Sequence, residues 1–289
     1  MAELINIILR LALYVDLLLL FGVGLFTLYS ANADLRSGPM LRGLALIGAL
    51  LSVAGLVLMT STMSGETELA ALWPHLQMML LETDVGLAWA LRMIALIVVL
   101  IQPGKWLAST AGAVVLSSLA WSGHGAMDEG SLRVWHFLSD ILHLLAAGAW
   151  LGGMLALVLL ARGRVDEARI RLLAEAVKRF EWVGATIVLT LSVSGVVNYL
   201  FIVGPRLDDV LLGTYGVLLA IKVVLFAGML VLAALNRFHL GPALARSLRD
   251  GQHVIAANAL RRSVLLELGM ALLIVALVAW LGTLSPDAG

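Results

Sequence analysis

The sequence predicts an all-α, polytopic membrane protein: one bundle of eight transmembrane helices with both termini on the periplasmic side. Three observations lead there. Of 289 residues, 61% are hydrophobic and 13% charged, with a mean hydropathy of +1.01, whereas an ordinary soluble domain is about 45–50% apolar and about 25% charged. The apolar residues gather into eight runs, most of them near the ~20 residues that about 30 Å of hydrocarbon requires. The basic residues between the runs crowd onto alternate loops, the asymmetry that orients helices in a membrane.

The first run, 4–30, is long enough to tilt and carries Arg10 and Asp16 inside it. It lacks a preceding basic region and exceeds the length of a cleavable leader, so it is expected to be retained. The second run is 40–63. The third and fourth, 85–101 and 106–122, are short and are separated by Gln102-Pro103-Gly104, a strong helix stop. The fifth, 132–161, is again long, and 182–203, 213–236 and 263–284 complete the set. Loops after the odd-numbered runs hold fourteen of the nineteen Lys and Arg residues, among them Arg36, Lys105, Arg162, Lys178, Arg237 and Arg261. The opposite loops hold Glu66, Glu68, Glu82, Asp84, Asp128, Glu129, Asp208 and Asp209. Positive charge marks the cytoplasmic face, and the acidic loops then face the periplasm of a bacterial inner membrane. The linkers 162–181 and 238–262 are expected to form short amphipathic helices at the headgroups. No linker is long enough to hold a core of its own, so no soluble domain is expected. Trp73, Trp121, Trp135 and Trp280 on one side, with Trp106 and Trp182 on the other, read as interfacial belts.

Composition also excludes functions. Nineteen basic residues balance nineteen acidic ones, which leaves no basic surface to follow a nucleic-acid backbone. The chain has no Cys, which excludes disulfides, thiolate metal sites and Cys nucleophiles together. A metal would have to be held by His, Met, carboxylate or backbone.

Ionisable side chains inside a span cost at least ~2.5 kcal/mol unless paired or hydrated, so each is a functional candidate. The densest set lies on the fifth run. His136, Asp140 and His143 stand at i, i+4 and i+7, which keeps them within about 60° of one another on a helix. His143 lies roughly 16 Å down from the start of the run, near the bilayer centre. Just upstream, His124 sits in Trp121-Ser122-Gly123-His124-Gly125, with glycines on both sides that allow close backbone approach. Three imidazoles and a carboxylate converging on one cavity suit a transition metal such as copper or zinc; the alternative is interhelical hydrogen bonding without a ligand.

The methionines point the same way. Met59, Met63, Met78, Met79, Met93 and Met127, six of eleven, fall on the outer side, and thioether favours Cu(I); the alternative is apolar gap-filling. His75, beside Met78 and Met79, could join a collecting surface or be simply solvated. Asp16 and Lys222 lie near mid-membrane and are expected to pair with each other or with Asp140. Gly148 and Gly152, four apart, allow close helix packing.

The order and spacing of several strings resemble the CopD family of bacterial copper-resistance and copper-uptake membrane proteins. They are Ser122-Gly123-His124; Asp140-x-x-His143-Leu144-Leu145-Ala146-Ala147-x-x-Trp150-Leu151-Gly152-Gly153; Tyr215-Gly216 with Lys222; Asn236-Arg237-x-x-Leu240-x-Pro242; Arg261-Arg262-Ser263-Val264 with Glu267; and Leu281-Gly282-Thr283-x-x-Pro286. The resemblance covers essentially the whole chain, as a single transmembrane domain over 1–289. It implies a multi-pass inner-membrane transporter, not an enzyme, that carries copper, as Cu(I) or Cu(II), from periplasm toward cytoplasm beside a small periplasmic carrier, CopC. It places copper on His124, Asp140 and His143, whereas His136 rests on helical phase alone. The expected route is capture at Met63, Met78, Met79, Met127 and His75, passage to His124 and His143, and release past Trp150 and Met154. Two other readings stay open: a b-type haem protein with His124 and His143 as axial ligands, and a metal-free membrane scaffold.

Overall fold

The computed structural model describes residues 2–30, 37–122, 133–162, 167–205, 213–250 and 253–284. Every regular element among them is helical. The elements are α1 (Ala2–Tyr29), α2 (Ser37–Ser64), α3 (Leu69–Glu82), α4 (Asp84–Ile101), α5 (Lys105–Ser117), α6 (Arg133–Ala161), α7 (Glu167–Ile202), α8 (Thr214–Leu235), α9 (Gly241–Asp250) and α10 (His253–Leu281). A 3₁₀ turn, Ser118–Ser122, extends α5, and a π-helical turn, Asn236–Leu240, joins α8 to α9.

Among the described residues seven helices, not eight, are long and apolar enough to cross a membrane by themselves. The exception is the run expected at 106–122. Ser118 turns its hydroxyl onto the Val115 carbonyl at 2.6 Å, and the chain tightens there into the 3₁₀ turn, leaving α5 only 13 residues long.

Three further boundaries differ from expectation. The outer segment after Met63 contains a helix, α3, whose Leu72, Leu76 and Met79 pack with Leu56 in a satellite cluster that also touches Met59 and Trp89. Thr83 ends it and caps α4, accepting the Gly86 amide at 3.1 Å. The stretch expected as a separate interfacial helix at 162–181 is continuous with the sixth span: α7 runs 36 residues, about 54 Å, because no Gly or Pro interrupts Phe180-Glu181-Trp182. In the same way α10 starts at His253, ten residues before the expected span.

α1 is the central helix. Its Leu13, Leu17, Leu20, Phe21 and Phe26 are buried together with Val115 and Leu116 of α5 and Trp150, Leu151 and Leu157 of α6. Lipid is as apolar as leucine, so close packing rather than water exclusion must hold such a bundle together. The closest approach is backbone to backbone: a Cβ on Gly22 would overlap the Gly148 carbonyl, and one on Gly152 would overlap the Gly22 backbone. α5 lies antiparallel to α1, with Ala108 beside Gly24 and Phe21 beside Gly112.

Candidate functional site

One end of the bundle opens into a cavity of about 570 Å³. Its lining comes from the start of α1, the end of α2, the start of α4, the 3₁₀ turn after α5, the start of α6, the end of α7, the start of α8 and the end of α10. Most of the wall is apolar. Asp140, His143, Asn198, Tyr199, Tyr215, Lys222, Arg10 and Arg92 supply the principal polar groups.

α6 presents the acidic and imidazole groups. His143 Nδ1 lies 2.9 Å from Ser194 Oγ on α7, and that hydroxyl donates to the Thr190 carbonyl at 2.6 Å. A serine has one proton to give, so Ser194 must accept from His143 Nδ1–H. The hydrogen bonds thereby assign the tautomer and leave Nε2 as the ring's acceptor; among the described residues it has no hydrogen-bond partner. The ring also rests against Gly195, where an added Cβ would meet Cε1 at 3.6 Å.

Asp140, one turn toward the cavity mouth, accepts from Asn198 Nδ2 at 2.7 Å. Its other oxygen is 3.9 Å from His136 Nε2. His136 is only 1% exposed and stacks on Phe201, ring centroids 4.8 Å apart and planes 10° from parallel. It does not line the cavity. Lys222, across on α8, is close enough to interact electrostatically with both Asp140 and His143.

The structure therefore gathers Asp140, His143 and Lys222 at one cavity, with Met63 at its margin. His124 and Met127 lie outside the described residues; Trp121, just before them, lines the cavity and packs edge-on against Phe137 of α6 at 4.5 Å. Met78, 49% exposed, and His75 are carried on α3 away from the cavity lining, and Met79 is buried in the satellite cluster. Met154 is buried in the main core. Asp16 does not meet Lys222. Its carboxylate faces α2, where a Cβ at Gly48 would lie 2.6 Å from Oδ2, and neither oxygen has a hydrogen-bond partner among the described residues. Among the described residues no three His, Asp or Glu side chains are grouped to hold a metal ion.

Ser194, Thr190 and Phe201 are parts of the site that the helical phase of α6 does not announce. The spacing Thr190, Ser194, Asn198 does carry a trace of it, three polar groups four apart along the half of α7 that lacks charged residues. A second polar junction lies deeper: buried Glu267 of α10 accepts from Trp150 Nε1 at 2.8 Å and from Asn236 Nδ2 at 2.9 Å, tying α6 and α10 to the π-helical turn.

Two family models match the chain, copper resistance protein D-like, N-terminal domain, over residues 1–134, and copper resistance protein D over residues 174–281. The chain is also 46% identical to copper resistance protein D of Pseudomonas syringae pv. tomato, over 99% of this chain and 98% of that protein. The chain belongs to the copper resistance protein D family. The chain is also similar to inner membrane protein YebZ of Escherichia coli (strain K12), 29% identical over 82% of this chain and 85% of that protein, and to copper transport protein CutJ of Bacillus subtilis (strain 168), 36% identical over 42% of this chain and 22% of that protein. No solved structure matches. With several helices long and apolar enough to span a membrane, this family member is a multi-pass inner-membrane protein. Its relationships are to copper proteins, and the haem reading of His124 and His143 gains no support from them.

Proposed function

We propose that this protein is a copper permease, a transporter and not an enzyme, in which the cavity receives copper from the periplasm and passes it toward the cytoplasm. The observation that carries the reading is the fixed tautomer of His143. Ser194 and Thr190 hold Nδ1–H in a hydrogen bond, the arrangement that orients a ligating imidazole and raises its basicity. Nε2 then offers its lone pair where Asp140 supplies negative charge one turn away. Met63 provides a soft donor at the margin, and His124, two residues beyond Ser122, completes the ligand set in this reading. His136 supports Asp140 from behind rather than meeting the ion.

Eight crossings with periplasmic termini fit the same reading. The cavity end collects a helix start, a helix end, a start and an end alternately through eight segments, the 3₁₀ turn after α5 among them. Thirteen α-helical and five 3₁₀ residues rise about 30 Å, the thickness of the hydrocarbon layer. The basic loops follow the ends of the helices that start at the cavity, and in this reading the cavity faces the periplasm, where a small CopC-like carrier would deliver copper.

The test is metal content. Detergent-purified protein expressed with copper and iron available should retain stoichiometric copper and no iron, and His143→Ala should lose the copper while still inserting and eluting as a folded species. Copper content unchanged in that variant would overturn the assignment of His143.

A further inference from the structure

The cavity has a charge imbalance that a cation transporter does not need. Among the described residues, three cationic side chains, Arg10, Arg92 and Lys222, line it, against a single carboxylate, Asp140. That carboxylate is already engaged by Asn198 and stands beside His136. None of the three cations has a carboxylate within salt-bridge distance among the described residues. Arg92 is 8% exposed, and the partner of its Nε is the neutral Ser118 Oγ at 2.7 Å, whose own proton goes to Val115. Arg10 donates to the Gly282 carbonyl, also neutral. Buried charge normally comes paired, because an uncompensated ion in a low-dielectric surround is costly. A bare copper ion approaching His143 would add to this positive field and be repelled by it.

Building on the copper reading above, we propose that the cavity also binds a small carboxylate-bearing anion, held by Arg92, Lys222 and Arg10, so that copper and anion occupy it together. Guanidinium forks recognise carboxylates through paired N–H donors, and Arg92 keeps its terminal nitrogens for that purpose while Ser118 fixes its Nε. Tyr14 and Tyr215 add hydroxyl donors on the same wall. A volume of about 570 Å³ holds far more than one metal ion, given that a water molecule takes roughly 30 Å³. The anion has two possible origins: it arrives free, or it arrives as a ligand already bound to copper. The site chemistry is the same in both.

The experiment uses the full chain in detergent and radiolabelled citrate as probe, at constant ionic strength set by a bulky sulfonate salt. One arm supplies labelled citrate without copper, a second supplies copper as its labelled citrate complex, and a third supplies labelled citrate after copper has been loaded as a cationic imidazole complex. Retention of label without copper identifies a free anion, and retention only in the second arm identifies a copper-bound one. In either case Arg92→Gln and Lys222→Gln should each weaken retention at least tenfold, whereas Arg92→Lys, which keeps the charge, should retain most of it. If Arg92→Gln does not fold, Lys222→Gln and Arg10→Gln carry the comparison. Copper bound through His143 with no label in any arm, or label indifferent to all the charge variants, overturns the anion site and leaves the permease reading standing. Label retained by a protein that binds no copper overturns the permease reading alone.

Discussion

At His143 a single proton decides what the side chain can do. With Nδ1–H given to Ser194, the ring presents Nε2; with the tautomer reversed, it would present a donor to the cavity and could not ligate a cation. Ser194→Ala is therefore expected to weaken copper binding about 10- to 100-fold with little change in fold, read by competition against a chromogenic chelator. An unchanged affinity would mean that Ser194 does not set the ring. His143 and Asp140 were legible in the sequence because two residues on one helix have their relative phase fixed by geometry. Ser194 was not, since it lies 51 positions away on another helix, and phase within a helix does not say which neighbour faces it. The same limit applies to Asp16. Its depth is readable, but whether it turns to Lys222 or to Gly48 depends on how α1 is rotated against α2.

Between elements, the α1–α6 crossing is the least tolerant contact. Gly22→Ala would place a methyl group on the Gly148 carbonyl, which neither helix can move without losing its neighbours. It is expected to destabilise at or beyond the upper end of the ~1–3 kcal/mol typical of overpacking, lowering the thermal midpoint in a detergent melting assay. Gly55→Ala, with nothing within 4 Å of the added Cβ, is the matched control and should be neutral; equal effects at both positions would refute the close crossing. The pairing of Gly148 with Gly152 was readable as a packing face, but its partner Gly22 was not. The Glu267 junction makes a different demand. Glu267→Leu leaves the Trp150 and Asn236 donors without acceptors, at about 1–3 kcal/mol each. Glu267→Gln should cost less, because Asn236 can turn its amide and present Oδ1, which has no partner among the described residues, to the new amide. Comparable melting temperatures for the two variants would show that this network contributes little. Helix ends were the poorest part of the sequence reading: charge density suggested breaks at 181 and 262, yet nothing in the backbone chemistry there stops a helix, and α7 and α10 run straight through.

For the molecule as a whole, the question is whether the α5 segment crosses the membrane. Hydropathy made the helical bundle legible, because it follows from the solvent rather than from particular contacts, and charge bias supplied the orientation that is expected of it. The number of crossings was less secure, since a short segment that tightens into a 3₁₀ turn is too brief an α-helix to count by length alone. The parity matters. If α5 and its 3₁₀ turn do not cross, the segments before and after it face the same side, and the charge asymmetry of every later loop would be inverted relative to the earlier ones. The chain has no native Cys, so single-cysteine variants report position without background. Lys105 precedes the segment, Arg133 follows it, and both are exposed. With eight crossings, Arg133→Cys and Glu66→Cys should react with an impermeant maleimide in spheroplasts, whereas Lys105→Cys and Lys178→Cys should react only after lysis. Lys105→Cys and Arg133→Cys behaving alike would remove the eighth crossing, and with it the proposal that the cavity lined by α1, α6, α7 and α8 faces the periplasm.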